Sequence, residues 1–157
     1  MISGTLKKYI LSRVIPSNAV VYSSNNATTQ AIPSGTTYIK LTLPNALTLF
    51  SKHIDVNVDT REVTIKKKGK YLFAFSFSSL SNTNNIVLET VLLKNDVEIS
   101  SIHMKRQFSG TSLISHATMT GAVELNKGDV LRIGVKHDSG SPINLTVQYM
   151  NILTYKI

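Results

Sequence analysis

Between Gly69 and Ser79 the sequence reads Gly-Lys-Tyr-Leu-Phe-Ala-Phe-Ser-Phe-Ser-Ser, with an aromatic residue at every second position from 71 to 77. Successive side chains of a strand point to opposite faces, so Tyr71, Phe73, Phe75 and Phe77 share one face. On a helix the same four would spread around the cylinder. Aromatic side chains favour pleated surfaces and bury a large area each. Leu72 and Ala74 fall on the other face, which predicts a strand covered on both sides near its middle. The Lys66-Lys67-Lys68 run before it reads as a solvated turn. The simplest reading is a central strand of a β-sandwich, and an aromatic ligand platform is the alternative.

The rest of the chain supplies partners for such a strand. Ile39 and Leu41 alternate with Tyr38 and Lys40; Ile54 and Val56 alternate with Asp55 and Asn57; Val63 and Ile65 alternate with Glu62 and Thr64. Ile86 to Lys94 and Val97 to His103 read as two strands joined at Asn95-Asp96, residue types that tolerate the positive φ of a two-residue hairpin. Leu113 to Leu125 and Val130 to Lys136 flank the turn Asn126-Lys127-Gly128-Asp129. In the closing stretch Ile143, Leu145, Val147 and Tyr149 alternate, and Leu153, Tyr155 and Ile157 keep that parity. Roughly eight to ten strands with polar turns, and no segment of helical period, indicate an all-β sandwich or barrel. Residues 1–35 differ: short apolar pieces, a Ser/Asn/Thr-rich stretch and Pro33-Ser34-Gly35 read as an arm or attachment segment before a domain over residues 36–157.

Composition narrows the function classes. Of 157 residues, 42% are hydrophobic, enough for a real core, and 17% are charged, below the usual ~25%. Short neutral polar residues fill the difference, which suits a surface packed beside other subunits. Cysteine is absent, which excludes disulfides and thiolate metal sites. The formal charge of +8 attracts anions in general, but the basic residues are spread along the sequence, so a dedicated nucleic-acid binder is not expected. No apolar run approaches the ~20 residues of a membrane span. Met1 to Lys8 lacks the order of a signal peptide.

Catalytic and metal signatures fail one by one. His53, His103, His116 and His137 show no clip spacing and no His-Glu-x-x-His. Ser109 and Ser139 lack a nucleophile elbow. Glu89, Glu98 and Glu124 could serve glycoside hydrolysis only if folding paired them about 5–9.5 Å apart. The expectation is a non-enzymatic protein without cofactor or metal.

Three stretches in order carry a resemblance: Gly69-x-Tyr71-x-Phe73-x-Phe75, then Leu92-Leu93-Lys94-Asn95-Asp96, then Leu125-Asn126-Lys127-Gly128-Asp129 followed by alternating apolars. Over residues 36–157 the chain resembles the tumour-necrosis-factor and complement-globular-head superfamily. Its closing strand departs from that pattern, since Tyr149-Met150-Asn151 has an aromatic but no glycine. The resemblance implies a two-sheet antiparallel jelly roll and a tight homotrimer. The cysteine-free, Asn/Ser/Thr-rich composition is similar to bacterial or viral members. The expected function is a structural protein of a virus particle, a head-fibre, decoration or tail-associated knob held to other virion proteins through residues 1–35. A module recognising a receptor or host surface glycan, secreted or on a cell surface, is the alternative. Apolar residues on both parities of two strands predict the interface: Tyr71, Leu72, Phe73, Ala74 and Phe75 on one, and Tyr149, Met150, Ile152 and Tyr155 on the other. Which parity faces the axis stays open.

Overall fold

The computed structural model describes residues 18–23, 29–41, 47–51, 53–57, 62–111 and 113–157. Twelve strands follow in order: β1 (Asn18–Ser23), β2 (Thr29–Ile32), β3 (Ile39–Lys40), β4 (Leu47–Ser51), β5 (Ile54–Asn57), β6 (Glu62–Ile65), β7 (Gly69–Ser81), β8 (Ile86–Lys94), β9 (Val97–Phe108), β10 (Ser115–Leu125), β11 (Val130–Lys136) and β12 (Ile143–Lys156). They build two six-stranded antiparallel sheets. The first runs β10-β7-β12-β1-β4, with β2 also on β12; the second runs β5-β6-β11-β8-β9, with β3 on β11. Among the described residues there is no helix, hence none that could cross a membrane.

The aromatic strand β7 lies inside the first sheet, paired along its length with β10 and β12. Its four rings face the second sheet and are buried, Phe73 at 1% exposure. Phe75 and Phe77, two residues apart on that face, tilt against each other at 5.2 Å between centroids. They meet a layer from the second sheet that includes Leu88, Leu92, Leu131 and Ile133. Gly121, opposite Phe73, lets the edges of the two sheets close, because a Cβ there would come within 2.4 Å of Ile102 Cγ1 on β9.

The turns follow residue chemistry. Asn95 and Asp96 take φ of 52° and 65° between β8 and β9, as a two-residue hairpin requires. Asp129 ties that turn to the neighbouring one. Its carboxylate accepts from Asn95 Nδ2 at 2.9 Å and from the Asn126 amide at 2.8 Å, while Asn95 Oδ1 accepts from the Val130 amide. Burial alone would push the Asp129 carboxyl up, but these bonds and the Lys94 ammonium outweigh it and hold the carboxyl low. The Gly-Asp step is thus a structural clamp.

Four expectations differ from the structure. The sandwich does not begin at residue 36. Strand β1 is the second-last strand of the first sheet's path, between β12 and β4, and β2 pairs with β12, so these two strands lie within the first sheet. Residues 1–17 and 24–28 of the expected arm lie outside the described residues. The closing strand does not keep one parity. Val147 pairs with Ser79 and Tyr149 with Ser78, so Gln148 is an extra residue, and such a bulge exchanges the faces beyond it. Ile143, Leu145 and Val147 point inward, then Met150 and Ile152 do, and Tyr149 turns out at 52% exposure. Strand β9 also runs on to Phe108, because it pairs with β8 as far as Ile86. Of the alternation around Ile39 only Ile39–Lys40 forms a strand, and residues 42–46 lie outside the described ones.

Candidate functional site

The outer face of the first sheet is built by three adjacent strands in fixed register. Going across β10, β7 and β12, its rungs are Ala122–Leu72–Tyr155, Thr120–Ala74–Leu153, Thr118–Ser76–Asn151 and His116–Ser78–Tyr149. None of these twelve positions carries Lys, Arg, Asp or Glu. The first two rungs are largely apolar, with Leu72 at 37% exposure. The last two are polar and frame a shallow depression of about 370 Å³ lined by Ser76, Ser78, His116, Thr118, Tyr149 and Asn151.

The opposite outer face is different in kind. Glu89 on β8 stands between Lys105 on β9 (2.7 Å) and Lys136 on β11 (3.4 Å), with the Tyr38 hydroxyl donating at 3.3 Å. Lys136 also lies 4.3 Å from the centroid of the Tyr38 ring. Further along, Arg132 bridges Glu62 and Asp96. The bond from Lys105, opposed by burial and aided by Lys136, holds the Glu89 carboxyl down to about 2. A carboxylate that stays ionised cannot donate a proton near neutrality, so Glu89 is a structural anion.

This has a pH consequence. A carboxyl whose folded value lies below its unfolded one stabilises the fold above the unfolded value, and loses that contribution as pH falls toward the folded one. Glu89 therefore contributes fully above about pH 4.5 and nothing below about pH 2. Screening at the exposed Lys105 end reduces the contribution to about 1–2 kcal/mol. Glu89→Gln is expected to be less stable than wild type by that amount at pH 6, with the gap closing between pH 4.5 and pH 2 in urea titrations. A gap that does not narrow on acidification would show that Glu89 acts through packing alone.

The sequence-predicted interface residues divide cleanly. Tyr71, Phe73, Phe75, Met150 and Ile152 are between 0% and 3% exposed, packed in the core between the two sheets. Leu72, Ala74, Tyr149 and Tyr155 come together on the outer face. Leu153 joins them, moved there by the bulge. The histidines do not converge. His53 and His116 are exposed and His103 is half-buried. His137 is buried, its Nε2 donating to the Ile32 carbonyl at 2.9 Å and its Nδ1 3.0 Å from Ser139 Oγ, which fastens the last loop to β2. Among the described residues no group of His, Asp and Glu could hold a metal ion.

No protein-family model matches this sequence, and no curated protein matches it. Solved structures do. Eiger TNF from S. frugiperda superposes with a TM-score of 0.62 at 13% identity, over 90% of this chain and 93% of that one. The fold is the TNF-like jelly roll. The globular domain of zebrafish complement 1qA aligns at TM-score 0.56 and 20% identity, over 90% and 97% of the two chains. The PRD1 vertex protein P5 aligns at 0.54 and 18%, over 91% and 98%. At these identities the likeness is one of architecture.

Proposed function

We propose that this jelly roll is a non-enzymatic structural module that closes into a homotrimer through the outer face of its first sheet and serves as a knob on a virus particle. The observation that carries the assembly is the charge-free ladder. The chain has 17% charged residues, and the outer face of the second sheet is crowded with ion pairs, yet twelve contiguous positions of the first sheet hold none. Interface cores are depleted of charge and enriched in Tyr, and Tyr149 and Tyr155 border this one. A three-fold ring needs one heterologous contact repeated, and the superfamily the sequence resembles closes in that way. Likeness to the PRD1 vertex protein P5 supports the particle setting. Docking to other virion proteins would fall to residues 1–17.

Static light scattering on the purified protein is expected to give three chain masses at micromolar concentration. A single chain mass overturns the assembly. Mass spectrometry of purified particles from the source tests the setting, and a chain absent from them belongs elsewhere. The recognition reading is favoured by one observation, a lysine-lined groove at one end of the sandwich.

A further inference from the structure

The turns between β6 and β7 and between β10 and β11, the β8–β9 turn and the last residue of β12 all fall at one end of the molecule. The Gly128 amide donates to the Ile65 carbonyl at 2.7 Å and the Asn95 amide to the Val130 carbonyl at 2.8 Å, which locks three of these elements together. The fourth arrives through Lys156. Its stem passes over Gly69, where a Cβ would come within 2.2 Å of Lys156 Cε, and its ammonium donates to the Lys68 carbonyl at 2.7 Å. Residues far apart in sequence are thereby gathered: Lys67, Lys68, Lys70, Lys94, Lys127 and Lys156. Against them stand Glu124 and the clamped Asp129, while Asp96 in the β8–β9 turn is paired with Arg132. Among the described residues no ion pair joins Lys67, Lys68, Lys70 or Lys127 to a carboxylate, whereas Lys66 beside them pairs with Asp55.

Within this end lies a groove of about 390 Å³ lined by Lys68, Lys70, Lys94, Glu124 and Asn126. Its size falls in the range of small-ligand sites. Its chemistry is mixed: ammonium donors, a carboxylate that only accepts, and an amide that does both. We propose that this groove binds a carboxylated sugar unit of an acidic polysaccharide, with the lysines taking the carboxylate and Glu124 and Asn126 taking ring hydroxyls. A uronate presents one anion and several hydroxyl donors at fixed distances, which matches that inventory. A phosphodiester chain presents anions throughout and would meet Glu124 repulsively. The six gathered cations are all lysine, lacking the bidentate fork that favours phosphate, and no aromatic ring lines the groove to stack a base. An acidic peptide would satisfy the lysines and leave Glu124 opposed.

The site lies within one protomer, so its test is independent of the assembly reading. The probes are polygalacturonate, poly-L-glutamate and a short DNA duplex, compared at one low ionic strength on the full chain. Lys68→Gln/Lys70→Gln is expected to weaken polygalacturonate binding by about tenfold or more, while Lys40→Gln/Arg106→Gln, which removes equal charge elsewhere, changes it by less than about twofold. Glu124→Gln is the discriminating variant. It raises the positive charge, so plain electrostatics predicts tighter binding of all three polymers. The proposed contacts predict weaker polygalacturonate binding, by roughly three- to tenfold, with tighter poly-L-glutamate and DNA. Asn126→Ala gives the same sign for polygalacturonate without a charge change, and circular dichroism confirms that each variant is folded. The proposal is overturned if polygalacturonate does not bind, if Glu124→Gln strengthens all three, or if DNA binds more tightly than polygalacturonate through the same lysines.

Discussion

Replacing Phe73 with alanine is expected to cost roughly 3–5 kcal/mol of folding stability. Phe73 is 1% exposed, midway along the strand that pairs on both sides within its sheet. Its ring meets Val63, Leu92, Leu131 and Ile133 from the second sheet and Ile152 from its own, around a residual void of only about 10 Å³. Alanine would empty the space between the sheets at its centre. The strands on either side are fixed by their ladders and cannot collapse inward to fill it, which puts the cost at the upper end for this kind of substitution. Urea titration of wild type and variant measures it. A loss below about 1 kcal/mol would mean that the two sheets are not held together through this ring. Leu72→Ala one position earlier is the contrast, since its side chain lies on the outer face and contributes little to the isolated protomer.

That contrast marks how far the sequence could be read. The aromatic period from Tyr71 to Phe77 is a local signal, and it located the interior strand and put the four rings on one face because nothing interrupts the pleat there. The Asn95-Asp96 hairpin was legible for the same reason: its chemistry is contained in two residues. The bulge at Gln148 has no such signature. Val147 and Tyr149 look like one continuous alternation, and only pairing with Ser79 and Ser78 shows that they point to opposite faces. Met150 and Ile152 of the expected interface set went into the core on that account. Asn18–Ser23 was set aside as an arm because a short strand owes its place to its neighbours, here β12 from the far end of the chain and β4. The lysine groove is a non-local object too. Its residues come from β7, β8, β10 and the turns beside them, which antiparallel topology brings to one end while sequence order keeps them dozens of positions apart.

The bulge also makes the assembly testable residue by residue. Leu153→Asp places a carboxylate in the apolar half of the charge-free ladder, beside Ala74 and flanked by the rung of Leu72 and Tyr155. In a three-fold ring the substitution appears three times around one axis, so each carboxylate is both desolvated and repelled by two copies of itself. Burying an unpaired charge in an interface core commonly costs several kcal/mol, enough to release a micromolar-stable trimer into single chains. The protomer has no reason to unfold, because Leu153 points away from its core. Leu153→Asp and Tyr149→Asp are therefore expected to give soluble monomers with unchanged far-ultraviolet circular dichroism. Met150→Asp, one residue from Tyr149 but 2% exposed on the inner face, is expected to lose the fold itself. The three variants separate assembly from folding on adjacent positions of one strand. A Leu153→Asp protein that still scatters light as a trimer would place the axis against some other surface, and a folded Met150→Asp protein would refute the register change at Gln148.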